Sequence, residues 1–397
     1  MSASQLGLIL LVACVVAILS RRLHLPYSAG LVAAGVALAL LGGSLNLTAT
    51  PDLVYNVLLP PLIFEAALQL RWRPFAADLA VSLTLAFPGV LLTGAIIATG
   101  MHALVGWSWL GAGLFGILIA ATDPVSVIAA FKELRVAPRL ALLVESESLL
   151  NDGAAAVGFA ILVAIAQGAT VNAPLIGEAL IWKVVGGVAV GGMVAGGALL
   201  IAGRANDHLV ETTLTTIAAY GSFLLAEHLQ MSGVLAALAA GLVVGNIGWQ
   251  GPISDAGRDQ MVSFWEYAAF LANSLVFVLI GGYEARAAKG LLTSAATVAI
   301  ALVLAARIAT IYPLCALFGR SRRAVSLRYQ HVLVWGGLRG ALALALALSV
   351  PDTVAEKGPI VVAAFAVVAF SIFAQGITIP WLVHALDLDR STAEPPP

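Results

Sequence analysis

Apolar stretches long enough to cross ~30 Å of hydrocarbon recur from one end of this sequence to the other. Runs of that length read as transmembrane helices, because a helix satisfies its own backbone polar groups where water cannot. Only 10% of the residues are charged, against about 25% in a soluble domain. A mean hydropathy of +1.00 agrees: the chain is expected to be an all-α polytopic membrane protein. Its net charge of −1 gives no reason to expect nucleic-acid binding. Cys14 and Cys315 lie far apart in apolar runs and support neither a disulfide framework nor a metal site. "LVAC" (11–14) has no positive segment before it, so a retained first helix is expected there rather than a cleaved signal.

Charged and Pro/Gly-rich breaks divide the chain into thirteen spans, at about 4–20, 27–43, 52–70, 76–101, 107–131, 139–167, 176–203, 208–228, 231–248, 262–284, 290–318, 331–350 and 358–385. No separate soluble domain fits between them. Basic residues then orient the chain. Arg21, Arg22, Arg71, Arg73, Lys132, Arg135, Arg139, Arg204, Arg258, Arg320, Arg322, Arg323, Arg328 and Arg390 fall in odd-numbered loops or the tail. Only Arg286, Lys289 and Lys357 fall in even-numbered ones. The positive-inside rule therefore places the N-terminus outside and the C-terminus in the cytoplasm. Lys183, near the end of its span, reads as a snorkelling lysine.

An ionisable residue within a span is costly and points to function. Glu65, Asp123, Glu145, Glu147, Asp152, Arg307 and Arg339 are of this kind. Counting helical rise from the nearest cytoplasmic basic residue puts Asp123 ~14 Å deep, Asp152 ~20 Å, Arg307 ~20 Å, Arg339 ~16 Å and Glu65 ~9 Å. Five residues from five spans near one depth suggest a single buried polar cluster.

"ESESLLND" (145–152) shows how one helix serves that cluster. Ser148 and Asp152 share a face, with Glu145 a turn closer to the cytoplasm and expected to line the cytoplasmic funnel. Glu147 and Asn151 share a second face about 100° away. The first face can offer oxygen ligands to an ion. The second can hold a structural pair with an arginine, and Arg307 is the expected partner of Glu147. In "ATDPVSV" (121–127), Pro124 has no amide hydrogen and pushes Asp123 out of helical geometry. The helix should break there and free carbonyls near Thr122. "WGGLRGA" (335–341) offers a second weak point around Arg339. Two interrupted helices in corresponding halves mark a midplane site in an inverted-repeat transporter. The repeat is faintly visible: "LIFEAALQLR" (62–71) resembles "FVLIGGYEAR" (277–286). The halves are read as 4–167 and 208–385, with 176–203 as a linker helix and 386–397 as a short cytoplasmic tail.

Taken together, "LPPLIFEAALQL" (59–70), "ATDPVSV", "ESESLLNDG", "FVLIGG" (277–282), the arginine of "AARIATIY" (305–312) and "GGLRGALALALA" (336–347) resemble the monovalent cation:proton antiporter-1 group, which includes the NhaP-type prokaryotic exchangers. "ESLLND" with "TDP" is its specific signature. The resemblance implies a thirteen-helix antiporter fold with crossed, unwound helices, working as a homodimer in the cell (inner) membrane. It implies Na+ or Li+ exchanged for H+ without a cofactor. Asp152 would be the principal carboxylate for cation and proton. Asp123, Ser148 and the Thr122 carbonyl would complete the shell, with Glu65 direct or through water. Asn151 would brace Glu147–Arg307, and Arg339 would offset charge at the crossing. Asn151–Asp152 implies electroneutral exchange of one proton per cation. The long cytoplasmic regulatory tail of many relatives is not matched here.

Two carboxylates so close cannot both stay bare in a low-dielectric site. A cation or protons can compensate them, and competition between those occupants is exchange. A K+/H+ antiporter would share this mechanism, since oxygen ligands alone do not select the ion. A channel or a non-transporting sensor is the other class of reading. "GAGLFG" (111–116) lies inside a span with no strand before it, so it is not a dinucleotide site. The glycine pairs at 186–187, 191–192 and 196–197 read as sites of close helix packing.

Overall fold

A computed structural model describes residues 3–23, 26–41, 50, 52–169, 173–204, 207–291 and 294–389. The expected tail from residue 390 onward lies outside the described residues, as do the side chains of Glu284, Arg286 and Lys289. Every regular element among the described residues is helical. The chain begins with α1 (Ala3–Leu23) and α2 (Tyr27–Leu41); a π-helical turn, Leu53–Leu58, leads into α3 (Leu59–Gln69). Next come α4 (Trp72–Val105), α5 (Trp109–Ala120), α6 (Val125–Leu134), α7 (Pro138–Ala166) and α8 (Ala173–Ala202). A π-turn at Ile217–Gly221 joins α9 (His208–Thr216) to α10 (Ser222–His228). α11 (Gly233–Ile247), α12 (Asp255–Leu291), α13 (Ser294–Ala316), α14 (Leu327–Trp335) and α15 (Ala341–Leu348) follow. Finally α16 (Lys357–Phe370) continues through a second π-turn, Ser371–Gly376, into α17 (Ile377–Ala385).

Nine described segments are long and apolar enough to cross a bilayer, and Gly7–Ser20, Tyr27–Leu40 and Leu53–Gln69 are shorter apolar helices. The remaining expected span is the interrupted pair α14–α15. Large apolar side chains such as Leu11, Ile181, Leu200 and Trp381 point outward, as a lipid-facing surface requires.

Both expected interruptions are present. α5 ends at Ala120 and α6 starts at Val125, because Pro124 cannot donate and Asp123 is forced out of the helix. Glycine-rich 336–340 separates α14 from α15. The helices that carry these breaks pack with α4, α7, α13 and α16. Against them stands a second set, in which α12 runs along α2 and also touches α3. A Cβ at Gly281 would collide with the Val32 carbonyl and one at Gly35 with that of Val278. The α2 and α12 backbones therefore nearly touch, which only small residues permit.

The α8 glycines behave less uniformly than expected. Gly186, Gly187 and Gly191 abut Met231, Ser232 and Ala236, whereas a Cβ at Gly192, Gly196 or Gly197 would meet nothing within 4 Å among the described residues. Close packing within the chain accounts for the first three. Lys183 donates to the Gln230 carbonyl at 3.0 Å, so its ammonium fastens the α10–α11 turn.

Candidate functional site

Where the two interrupted helices cross, each satisfies the other. The Asp123 amide donates to the Leu338 carbonyl at 2.8 Å, joining one break to the other. Asp123 Oδ1 accepts from the Val125 amide at 2.9 Å, at the start of α6. A Cβ at Gly340 would lie 2.5 Å from the Asp123 carboxyl carbon. Only glycine lets the second break approach that carboxylate so closely.

Other freed backbone groups find buried side chains, as the membrane interior demands. Asn151 accepts the Thr122 amide at 3.1 Å and donates to the Thr122 hydroxyl at 2.7 Å. The Ser148 hydroxyl donates to the Thr122 carbonyl. Gln375 donates to the Trp335 carbonyl at 3.1 Å, and the Arg339 amide donates to Ser371 Oγ at 3.0 Å.

A cavity of about 80 Å³ lies at the crossing. Asp152, Asp123, Thr122, Ser148 and Glu65 line it, with Asn273 from α12 and apolar residues such as Ile63, Leu149 and Leu342. A site needs about 10–15 Å³ of such space to hold one water, so a cation with water fits. Asp152 Oδ1 is buried and has no hydrogen-bond partner among the described residues. Half-buried Glu65 accepts a hydrogen bond from Gln69, one turn along α3. Gln69 and Glu145 in turn line a wide cleft of about 970 Å³ with Arg71, Arg322 and Arg323. The Glu65–Gln69 contact therefore stands between the broad cleft and the small cavity.

The arginines do not join this cavity. Arg307 makes a two-pronged pair with Glu147, 2.6 Å to Oε1 and 2.9 Å to Oε2. It also donates to the Leu333 carbonyl at 2.8 Å in the last turns of α14. Both partners are almost fully buried. Arg339 is 1% exposed; its guanidinium donates to the Gly337 carbonyl, while Nε and Nη2 have no partner among the described residues. Instead of the single polar cluster expected, there are two: a carboxylate cavity and an arginine layer beside it. Equal depth did not place them together, because Glu147 and Asp152 point about 140° apart around α7. A second correction concerns Asn151. Its hydrogen bonds go to Thr122 and not to the Glu147–Arg307 pair.

Sequence reasoning missed several polar residues. Asp78 receives both prongs of Arg139 at 2.9 Å, and that guanidinium also holds the carbonyls of Arg323 and Ala324 at 3.1 Å. Glu211 accepts from the Ser254 hydroxyl, and Glu227 from Tyr55 and the Gly233 amide. These three carboxylates could have been found as acids inside apolar runs. Asn273 carries no charge, and a lone carboxamide in "FLANSLVF" is a weaker signal.

Comparison with known proteins bears on the whole chain. The family model for "Sodium/hydrogen exchanger, transmembrane" matches residues 9–385. The Na+/H+ antiporter ApNhaP of Aphanothece halophytica is 37% identical over 377 residues, covering 94% of this chain and 71% of its own. The low-affinity Na+/H+ antiporter NhaS1 of Synechocystis is 37% identical over 395 residues, covering 97% and 75%. In fold, the chain matches the sodium proton antiporter MjNhaP1 of Methanocaldococcus jannaschii with a TM-score of 0.79. That likeness holds at 21% identity over 96% of this chain and 97% of the other. The chain is a multi-pass transporter, not an enzyme, and belongs to the sodium/hydrogen exchanger family.

Proposed function

We propose that this protein exchanges Na+ or Li+ for H+ across the cell membrane by alternating access, one proton per cation, in cation and pH homeostasis. The observation that carries this reading is the placement of Asp123 and Asp152 in one small cavity where two interrupted helices cross. The unpaired Asp152 oxygen there calls for a cation or a proton. Ser148, the second lone pair of the Thr122 carbonyl and Glu65 supply further oxygens around the ion. The cation is cargo, so no resident cofactor is needed.

The Glu147–Arg307 pair is the fixed brace of the carrier, and Arg339 places positive charge beside the crossing. Glu145 marks the path from the cytoplasm through the wide cleft, with the N-terminus outside and the C-terminus cytoplasmic. Thirteen crossings in two inverted halves, 4–167 and 208–385, joined through 176–203, give the alternating geometry. The working unit is a homodimer.

The test is proton flux in proteoliposomes holding an internal pH dye, with Na+, Li+ or K+ added in turn. Saturable dequenching with Na+ that disappears in Asp152→Asn is expected. A response to K+ alone would change the substrate and keep the mechanism. Cation-coupled flux that persists in Asp152→Asn would sink the assignment.

A further inference from the structure

The cavity has two unequal walls. Asp123, Thr122, Ser148 and Asp152 come from the interrupted helix and α7, whereas Glu65 and Asn273 come from α3 and α12. Glu65 is already engaged by Gln69. Asn273 is 91% buried, its exposure being 9%, and its carboxamide has no hydrogen-bond partner among the described residues. A carboxamide offers two donors and two acceptor lone pairs. Asn273 lines the cavity, so an ion or water held there can take up these groups.

The helix itself fixes where Asn273 points. Its neighbour Ser274 is committed to α2, 2.7 Å from the Tyr27 hydroxyl, and donates to the Phe270 carbonyl at 2.5 Å. The near contact of α2 and α12 at Gly35 and Gly281 holds that register. Asn273, about 100° round the helix from Ser274, is thereby held toward the carboxylates.

We propose that Asn273 is a cation-coordinating residue for this site, and that its carboxamide oxygen discriminates among alkali cations. The inference rests on the exchange reading above. A neutral oxygen is a hard ligand suited to such ions, and it adds no charge to the balance between cation and proton. Asp152 therefore still sets the exchange ratio, while Asn273 sets affinity and selectivity. Because α12 packs far more extensively with α2 and α3 than with α15 of the second interrupted helix, its contact to the ion depends on where the interrupted helices sit. The ligand set then differs between the two access states, and affinity differs with it.

The experiment compares wild type, Asn273→Ala, Asn273→Asp and Asp152→Asn in dye-loaded proteoliposomes, titrating Na+, Li+ and K+. Losing one ligand contact is expected to weaken binding about tenfold, which is about 1.4 kcal/mol. Asn273→Ala should raise the half-saturating Na+ concentration about tenfold, change the Na+/Li+ preference, and leave the maximal rate within about twofold. Asn273→Asp keeps the size of the side chain and so its fold. It should restore Na+ half-saturation. It should also shift the pH profile of exchange upward, since a new carboxylate facing Asp123, Asp152 and Glu65 favours protons. Unchanged half-saturation for every cation in Asn273→Ala overturns the proposal. So does an equal loss of maximal rate with all three cations, which marks a packing role, or an unmoved pH profile in Asn273→Asp. An Asp152→Asn protein that still exchanges removes the underlying exchange reading instead.

Discussion

Two carboxylates five residues apart on α7 face opposite fates. Glu147 is closed off by Arg307, both of its oxygens held and the guanidinium further tied to the Leu333 carbonyl. Asp152 keeps a buried oxygen unpaired. Removing one partner of a buried pair strands the other charge, at a cost of about 3–5 kcal/mol. Arg307→Ala should therefore lower the melting temperature in detergent sharply. The double variant Glu147→Ala/Arg307→Ala should lose less than the sum of the singles, because neither charge is then left alone. Asp152→Asn should melt at or above the wild-type temperature while transport stops. A melting temperature for Arg307→Ala equal to wild type would show that the pair is not the brace it is taken for.

At the scale of elements, each interruption depends on the other. Pro124 opens the first, the glycines at 336–340 open the second, and the Asp123–Leu338 hydrogen bond joins them. Gly340→Ala would push a methyl group into the Asp123 carboxyl group. We expect exchange to fall at least about tenfold in protein that still elutes as a folded species, since a small misplacement of a reacting group is costly. Wild-type exchange in Gly340→Ala would mean that Asp123 can move without consequence. The breaks were legible in advance because proline and glycine act locally, through a missing donor or a missing Cβ. The i,i+4 pairing of Ser148 with Asp152 was legible for the same reason, since one helix carries both. What lay between helices was not. Depth along a helix says nothing about rotation, so equal depth groups Arg307 and Arg339 with the carboxylates although they form a separate layer. The partner of Asn151 is not readable from sequence, because no local rule reveals that Thr122 lies opposite it. Asn273 gives a weak signal in sequence, since a neutral residue costs less in lipid than a charged one.

For the molecule as a whole, the question is which helices move against which. α6 follows Asp123 directly, so any displacement of the crossing carries α6 with it. α2 is bound to α12 by near backbone contact and by Tyr27–Ser274. α2 and α6 meet at Ser28 and Ser126, whose hydroxyl oxygens are 2.5 Å apart. In an alternating-access cycle that contact belongs to one state and must open in the other. Ser28→Cys/Ser126→Cys, built on Cys14→Ser/Cys315→Ser to remove both native thiols, should oxidise to a disulfide, because side chains already in contact are within bridging range. The oxidised protein should lose Na+-driven proton flux, and reduction should restore it. Binding should survive the lock, so Na+ should still raise the melting temperature of the cross-linked protein in detergent. Full flux in quantitatively cross-linked protein would show that the α2–α6 boundary stays closed throughout the cycle, and would move the sliding surface elsewhere.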